Sequence, residues 1–393
     1  MKRITGLQPR ADMVEQLLDV GFDYYDLPSS DGSHYWSDHT AYEFSLAEIE
    51  QVEDAANELH QMCLDFVADE VKQGDYQHYQ FSELQKQLIE QSWQRQDPHL
   101  YGRFDFGFDG KALKLFEYNA DTPTSLLESA IVQWHWLEQI DGIPHRDQFN
   151  WIHEELLQRF QWLKQQSGKN DFHFAGMEEA GREDWGNIDY LCDVAFTAGW
   201  NIHRLSVEDI GYHSERREFV DLHEQNIDML FKLCPLEWFT NGEFAQHLPT
   251  AHTQLLEPAW KLLLSNKILL AKLWQRHPRH SLLLPSYFAK ESLQNYRSLF
   301  VKKPLLGREG ANISYYQHSN QFEFVACGSE HSDFYGQDGY IYQEKFNLPK
   351  FDGMYPVLGA WVVGDVACGM GIREDFTAVT GNDSHFIPHY FVE

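Results

Sequence analysis

The sequence predicts an α+β protein: antiparallel sheets with flanking helices. Three observations predict it. Two strand-like runs meet at Asp109-Gly110, and in the first Phe104, Phe106 and Phe108 alternate with Arg103, Asp105 and Gly107, the period of a half-buried strand. Residues 45–71 carry apolar side chains at helical spacing. From residue 298 onward, short strand patterns alternate with glycine-bearing turns and few helical stretches.

In chain order, residues 1–40 read as irregular, with Tyr24, Tyr25, Tyr35 and Trp36 available for packing. The 45–71 helix opens with a capping box, Ser45 and Glu48. Leu46, Ile49, Val52, Ala56, Leu59, Cys63, Phe66 and Val67 form its apolar stripe. A second helix is expected over 81–93. The 101–119 hairpin follows. A two-residue loop there would turn Glu117 away from Asp105. A three-residue loop, 109–111, sets Arg103 opposite Glu117 and Asp105 opposite Leu115, so that Arg103, Asp105, Glu117 and Asn119 share one face. We therefore expect the odd-length loop. Helices are expected over 124–137, where Pro123 suits an N-terminal position, and over 147–164, 188–197 and 255–275, the last around Lys267. Strands are expected over 171–176 and 199–205, and a strand or short helix over 226–233. In the last third, strands at 298–303, 313–316, 322–326 and 340–346 precede a hairpin over 357–372 turning at Gly364-Asp365. The expected division is a helical region (1–100), a metal- and substrate-binding α/β part (101–260) and a nucleotide-binding part (261–393).

At 393 residues the chain has room for two or three domains. Its charge, 31 − 60 = −29, argues against nucleic acid or acidic membranes as partners, which need clustered Lys and Arg. It permits a cationic small substrate. Five dispersed cysteines without a CxxC read as reduced, hence cytoplasmic. The N-terminus lacks the apolar core of a signal peptide, and no 18-residue apolar run exists.

Two carboxylates, an amide oxygen and an arginine on one sheet face suit Mg2+ held jointly with a phosphate. The bland alternative is a solvated face on which Arg103 and Glu117 form a weak pair. Gly307 and Gly310 sit in a loop after Lys302-Lys303. Glycine lets backbone amides approach phosphate closely, although no Walker loop or dinucleotide fingerprint is present. The order of parts resembles an ATP-grasp nucleotide site: Lys267 in a helical region, the lysine–glycine hairpin at 303–313, Gln343-Glu344 on a short strand, and a hairpin ending at Arg373. Lys267 and Lys303 would flank the phosphates, and the 340–346 strand would offer backbone to adenine.

The runs FEYNADTPTSLLES, VKKPLLGREGANI and GIREDFTAVTGNDSHFIPH resemble the glutathionylspermidine synthase family, over the synthetase part and without the amidase domain some members carry. The resemblance implies an ATP-grasp fold with the nucleotide held between C-terminal sheets. It also implies an ATP- and Mg2+-dependent ligase that joins a peptide-like acid to an amine, such as a polyamine. By the same resemblance Asp105, Glu117 and Asn119 would hold Mg2+ and Arg103 would contact phosphate. Lys267, Lys303, Gly310, Gln343 and Glu344 would hold ATP, with Lys302 a competing neighbour, and Arg373 would stabilise the transferring phosphoryl group. Thr122, Glu178, Glu179 and Asp383 would contact substrates, with Glu179 as the base. Where characterised members read Lys-Thr-x-x-Trp-Glu, this chain reads Lys232-Leu233-Cys234-Pro235-Leu236-Glu237-Trp238. The apolar Leu233 replaces a substrate-binding hydroxyl, which leaves glutathione open as the acid.

The expected chemistry activates a carboxylate as an acyl phosphate, which an amine then attacks. Two rivals are a glycosidase using Asp105 and Glu117, for which the 303–312 loop has no role, and a non-catalytic nucleotide sensor on the same fold.

Overall fold

The computed structural model describes residues 1–29, 32–143, 145–293, 298–308, 310–317, 322–325, 336–381 and 383–392, with side chains for all of these except 291, 317 and 322–325. Of the residues discussed above, Ala326 and Cys327, and Glu309 and Asn382 of the quoted runs, lie outside the described set. The other four cysteines are free. Among the described residues, no helix is long and apolar enough to cross a membrane.

The aromatic hairpin is half of a five-stranded antiparallel sheet. Its order is His385–Ile387, Val366–Asp375, Tyr355–Val363, Tyr101–Phe108 and Leu113–Asn119. Phe104, Phe106 and Phe108 pack with Leu358, Ala360, Met370 and Ile372 against Ile49, Val52, Leu59 and Phe66 of the helix Leu46–Gln73. That helix starts at the expected capping box and ends at Gly74, whose φ of 64° closes the last turn. All eight residues of Tyr101–Phe108 are buried, so its polar face is not a solvated one.

The hairpin register differs from expectation. Phe108 pairs with Leu113, leaving a four-residue loop, and the register then shifts between Asp105 and Phe106. Phe116 is the extra residue. Beyond it Asp105 stands opposite Glu117 and Arg103 opposite Asn119. A bulge adds one residue and restores the parity of the two faces, so the four polar side chains share a face by a different route. Gly107 makes room for this: a Cβ there would come within 2.2 Å of the Phe116 ring.

A second sheet is parallel, which the expectation of antiparallel sheets omitted. Its order is Gln254–Leu256, Met229–Leu233, Asp171–Gly176 and Asn201–Ser206. The helix Arg182–Thr197 links the last two strands, the crossover that parallel neighbours need. Phe172 and Phe174 pack with Leu191 and Val194 of that helix and with Leu156 and Phe160 of the helix Ile152–Ser167. A third sheet is antiparallel, ordered Ser286–Tyr287, Tyr340–Glu344, Phe300–Pro304, Ser314–Gln317 and Phe322–Val325. A fourth brings the chain ends together: Lys2–Thr5, Thr40–Ser45, His389–Val392 and Arg146–Asp147. Residues 1–40 are thus less irregular than expected, and also hold the helix Met13–Asp19.

The continuous helix expected over 255–275 is divided into the strand Gln254–Leu256, a 3-10 turn Ala259–Leu263 and the helix Ile268–Arg276, with Lys267 at the N-cap. Pro258 lacks an N–H and holds its predecessor extended. Leu262, Leu263, Leu264 and Ile268 are all buried despite the division. The helix expected from residue 124 begins later, as a π-turn over Glu128–Val132 followed by Gln133–Gln139.

Candidate active site

A cleft opens between the polar face of the central sheet and the third sheet. Arg103, Asp105, Glu117, Asn119, Lys267, Lys303, Arg308 and Arg373 all line it. Two buried ion pairs fix its walls. Glu257 accepts from the backbone N–H groups of Leu100 and Tyr101 and pairs with Lys261 at 2.6 Å, and Lys261 donates to the Tyr101 carbonyl. This anchors the start of the first hairpin strand. Asp121 accepts from Lys232 at 2.8 Å and from the N–H of Leu236 at 2.7 Å, which holds the loop after Asn119.

Asp105 accepts four hydrogen bonds. Arg103 donates to it through Nε at 2.7 Å and Nη2 at 3.2 Å, and Arg373 and Asn119 each donate at 3.2 Å. Burial opposes its charge, but Arg103 and Arg373 prevail and hold the carboxyl below its usual range. Gly359 accommodates Arg103, since a Cβ there would lie 2.8 Å from its Cδ. Glu117 accepts from Lys267 at 3.2 Å, and Lys267 also donates to the Gly307 carbonyl at 3.0 Å.

Lys303 donates to the Phe116 carbonyl at 2.8 Å and to Gln343 Oε1 at 2.7 Å, while Gln343 Nε2 donates to the Leu115 carbonyl. Burial, with the Lys267 charge adding to it and Glu117 and Asp105 opposing, brings the Lys303 pKa down to about 8. Lys302 points away, its ammonium 4.2 Å from the Tyr340 ring centre, and does not line the cleft. Strand alternation thus separates the two lysines. Gly310, at φ 70°, lets the 305–313 loop approach Thr380, where a Cβ would lie 2.7 Å from the carbonyl oxygen. Glu344 and Thr122 also line the cleft.

Other expected residues lie elsewhere. Glu178 and Glu179 are exposed and do not line the cleft, and the Glu178 N–H donates to Glu208. Asp383 is half-buried and outside the lining, although Gly381 and Ser384 are in it. Leu233 is a core residue beside Phe231 and Leu256 rather than a cleft residue. The sequence reading passed over Glu183, Asp184, Glu237 and Arg308, all of which line the cleft. Arg308 lay within the quoted glycine loop, and its Nη2 donates to Thr122 Oγ1. Glu237 lay within the quoted Lys232–Trp238 run. Burial raises the pKa of both Asp184 and Glu237, and for Glu237 the Asp121 charge adds to the effect.

The donor set fits a hard dication with a polyphosphate. Asp105, Glu117 and Asn119 offer oxygens side by side, and five cationic side chains surround them. Asp105 and Glu117 are meanwhile paired with those cations.

The family model for the glutathionylspermidine synthase preATP-grasp region matches residues 4–392. The chain belongs to the glutathionylspermidine synthase family. It is 71% identical over 392 residues, all of both chains, to a Haemophilus influenzae protein whose name proposes an acid–amine ligase. It is 29% identical over 322 residues to trypanothione synthetase of Crithidia fasciculata, covering 75% of this chain and 48% of that one. It is 24% identical over 370 residues to the bifunctional glutathionylspermidine synthetase/amidase of Escherichia coli, covering 85% and 56%. The chain thus spans about half the length of those last two glutathionylspermidine synthase relatives.

Proposed function

We propose that the cleft joins a small, peptide-like carboxylic acid to an amine in an ATP- and Mg2+-dependent reaction through an acyl phosphate. The observation that carries this reading is that one cleft is lined both by carboxylates set among cations and by a further acidic set. Asp105, Glu117 and Asn119 lie among Arg103, Arg373, Lys267, Lys303 and Arg308, and Glu183, Asp184 and Glu237 line the same cavity. The names of the relatives agree with it.

Bound Mg-ATP would supply the phosphoryl group that turns a carboxylate into an electrophile. Asp105, Glu117 and Asn119 would hold the metal, and Lys267, Lys303 and the Gly310 loop the phosphates. The strand bearing Gln343 and Glu344 would face the adenine. Arg103 and Arg373 already meet at Asp105 and are poised for charge on the transferred group. Thr122, held by Arg308, would orient the acid. The second acidic set would attract a cationic amine, and a carboxylate there would take its proton on attack. Glu183, Asp184 and Glu237 suit that role better than Glu178 or Glu179 because they line the cavity.

A glycosidase needs one of its two carboxyls kept protonated. Asp105 is held ionised by two arginines and Glu117 is paired with Lys267, which disfavours that reading. A nucleotide sensor would share the cleft but lack turnover.

The test is ADP release with Mg-ATP across a grid of small peptides and amino acids against di- and polyamines. ADP formed only when one acid and one amine are both present supports the ligase. Thermal stabilisation by Mg-ATP with no ADP from any pair supports the sensor. No stabilisation removes the nucleotide from the cleft.

A further inference from the structure

We propose that His173, His203 and Asp221 form a binding site for a transition-metal dication of the Zn2+ class, on the parallel sheet and apart from the cleft. His173 and His203 face each other in register on adjacent strands, their rings stacked with centres 4.6 Å apart. Asp221 follows the short hairpin Gly211–His213 and Glu218–Val220. One donor atom from each of the three lies within 4.8 Å of the others, and none of these residues lines the cleft.

Two observations point to a ligand. His173 is fully buried, yet neither of its ring nitrogens has a hydrogen-bond partner. A buried polar atom left unpaired is costly, and such atoms in folded proteins mark a missing water or ion. Secondly, His173 Nε2 lies 3.6 Å from Asp221 Oδ2. That is long for a hydrogen bond. It is close to the ligand–ligand spacing of about 3.3 Å that tetrahedral Zn2+ imposes with Zn–N and Zn–O bonds near 2.0–2.1 Å.

The carboxylate is already aimed. Asp221 Oδ1 accepts from the N–H groups of His223 and Gln225 at 2.8 and 2.9 Å, leaving Oδ2 toward His173. Asp171 Oδ1 lies 2.9 Å from His203 Nε2, a further oxygen beside the site, and Gln225 Nε2 lies 3.1 Å from the same nitrogen. Two imidazoles with a carboxylate select Zn2+ and its neighbours over Mg2+, which prefers oxygen. The metal would clip the turn at Asp221 onto the two strands.

A second cluster, His60, His99 and Asp365, does not share this geometry. Both Nε2 atoms there lie at hydrogen-bond distance from the same Asp365 oxygen, 3.0 and 3.2 Å, and the Lys261 and Arg159 charges bear on His99. Both rings there already meet a carboxylate, whereas on the parallel sheet His203 meets Asp171 but buried His173 has no partner within hydrogen-bond distance at either nitrogen.

The test is Zn2+ titration of the tag-free, metal-stripped chain against a chromophoric chelator, with melting temperature recorded in parallel. We expect about one Zn2+ per chain and a higher melting temperature with metal. His203→Ala and Asp221→Asn should each weaken binding by roughly 100-fold or more while the metal-free variants melt near the metal-free parent. These positions are less buried than His173, so the test does not hinge on a core substitution. No Zn2+ binding, binding unchanged in both variants, or binding lost only on His60→Ala would each overturn the proposal.

Discussion

Lys303 donates its ammonium to the backbone oxygen of Phe116 at 2.8 Å. Phe116 is the bulged residue of the polar hairpin, and a bulge leaves a residue out of the ladder. The third sheet is therefore tied to the central sheet at the point where the register shifts. The same lysine stands beside Gln343, which donates to the neighbouring Leu115 carbonyl.

Because burial holds the Lys303 pKa near 8, nucleotide binding should depend on pH. The protonated lysine is the form that attracts phosphate. Above about 8 the free protein must take up a proton on binding, so the Mg-ATP dissociation constant should rise by up to about tenfold per pH unit. Lys303→Arg should flatten that rise, and Lys303→Ala should raise the ATP requirement at every pH, whereas Lys302→Ala should change little. Equal effects of the two alanine variants in a nucleotide titration would refute the assignment.

Asp105 holds two arginines, so its removal acts on both stability and activity. Asp105→Ala strands a buried Arg103 and should cost about 3–5 kcal/mol, typical for breaking one side of a buried pair. Asp105→Asn keeps an acceptor and should cost less. Both should abolish ADP formation. Glu117→Gln should also abolish it with a small change in melting temperature, since Glu117 makes one partly exposed ion pair. Full ADP release by Asp105→Asn and Glu117→Gln would remove the metal assignment.

What the sequence revealed follows from how local each signal is. The helix Leu46–Gln73 was legible because its capping box and apolar stripe lie within its own residues. The hairpin turning at Gly364-Asp365 was legible for the same reason. The shared polar face was legible, but the bulge behind it was not, because Gly107 and Phe116 meet across two strands. Lys302 and Lys303 are equal in sequence and are separated only by which side of Phe300–Pro304 faces the cleft. That Glu183 and Asp184 line the cleft while Glu178 and Glu179 do not depends on how the turn before the helix Arg182–Thr197 is folded, which no local pattern reveals.

Gly310 should matter to nucleotide binding more than to folding. Its φ of 70° and its close approach to Thr380 leave no room for a side chain. Gly310→Ala should push the 305–313 loop away from the 378–381 segment and raise the KM for ATP. The melting temperature should fall modestly as well, since Leu305 and Ile313 at the ends of the loop pack in core clusters while Gly310 itself lines the cleft. An unchanged KM would show that the loop does not contact nucleotide.

Glu128 should make the fold pH-sensitive. Its Oε1 accepts from the Tyr35 hydroxyl at 2.8 Å, and its Oε2 is buried without a partner. Burial, with the Glu183 charge adding to it, raises its pKa to about 8. Between the ordinary carboxyl range and about 8, the folded chain holds a proton that the unfolded chain releases. Stability therefore falls as pH rises through that window, by up to about 1.4 kcal/mol per unit for this group. Glu128→Gln cannot ionise, so its melting temperature should track the parent's near pH 5 and exceed it increasingly toward about 8.5. Melting curves of the two proteins measured across that range decide it: a constant offset would mean that Glu128 stays ionised in the folded chain, and a widening gap would mean that it is held neutral beside Tyr35.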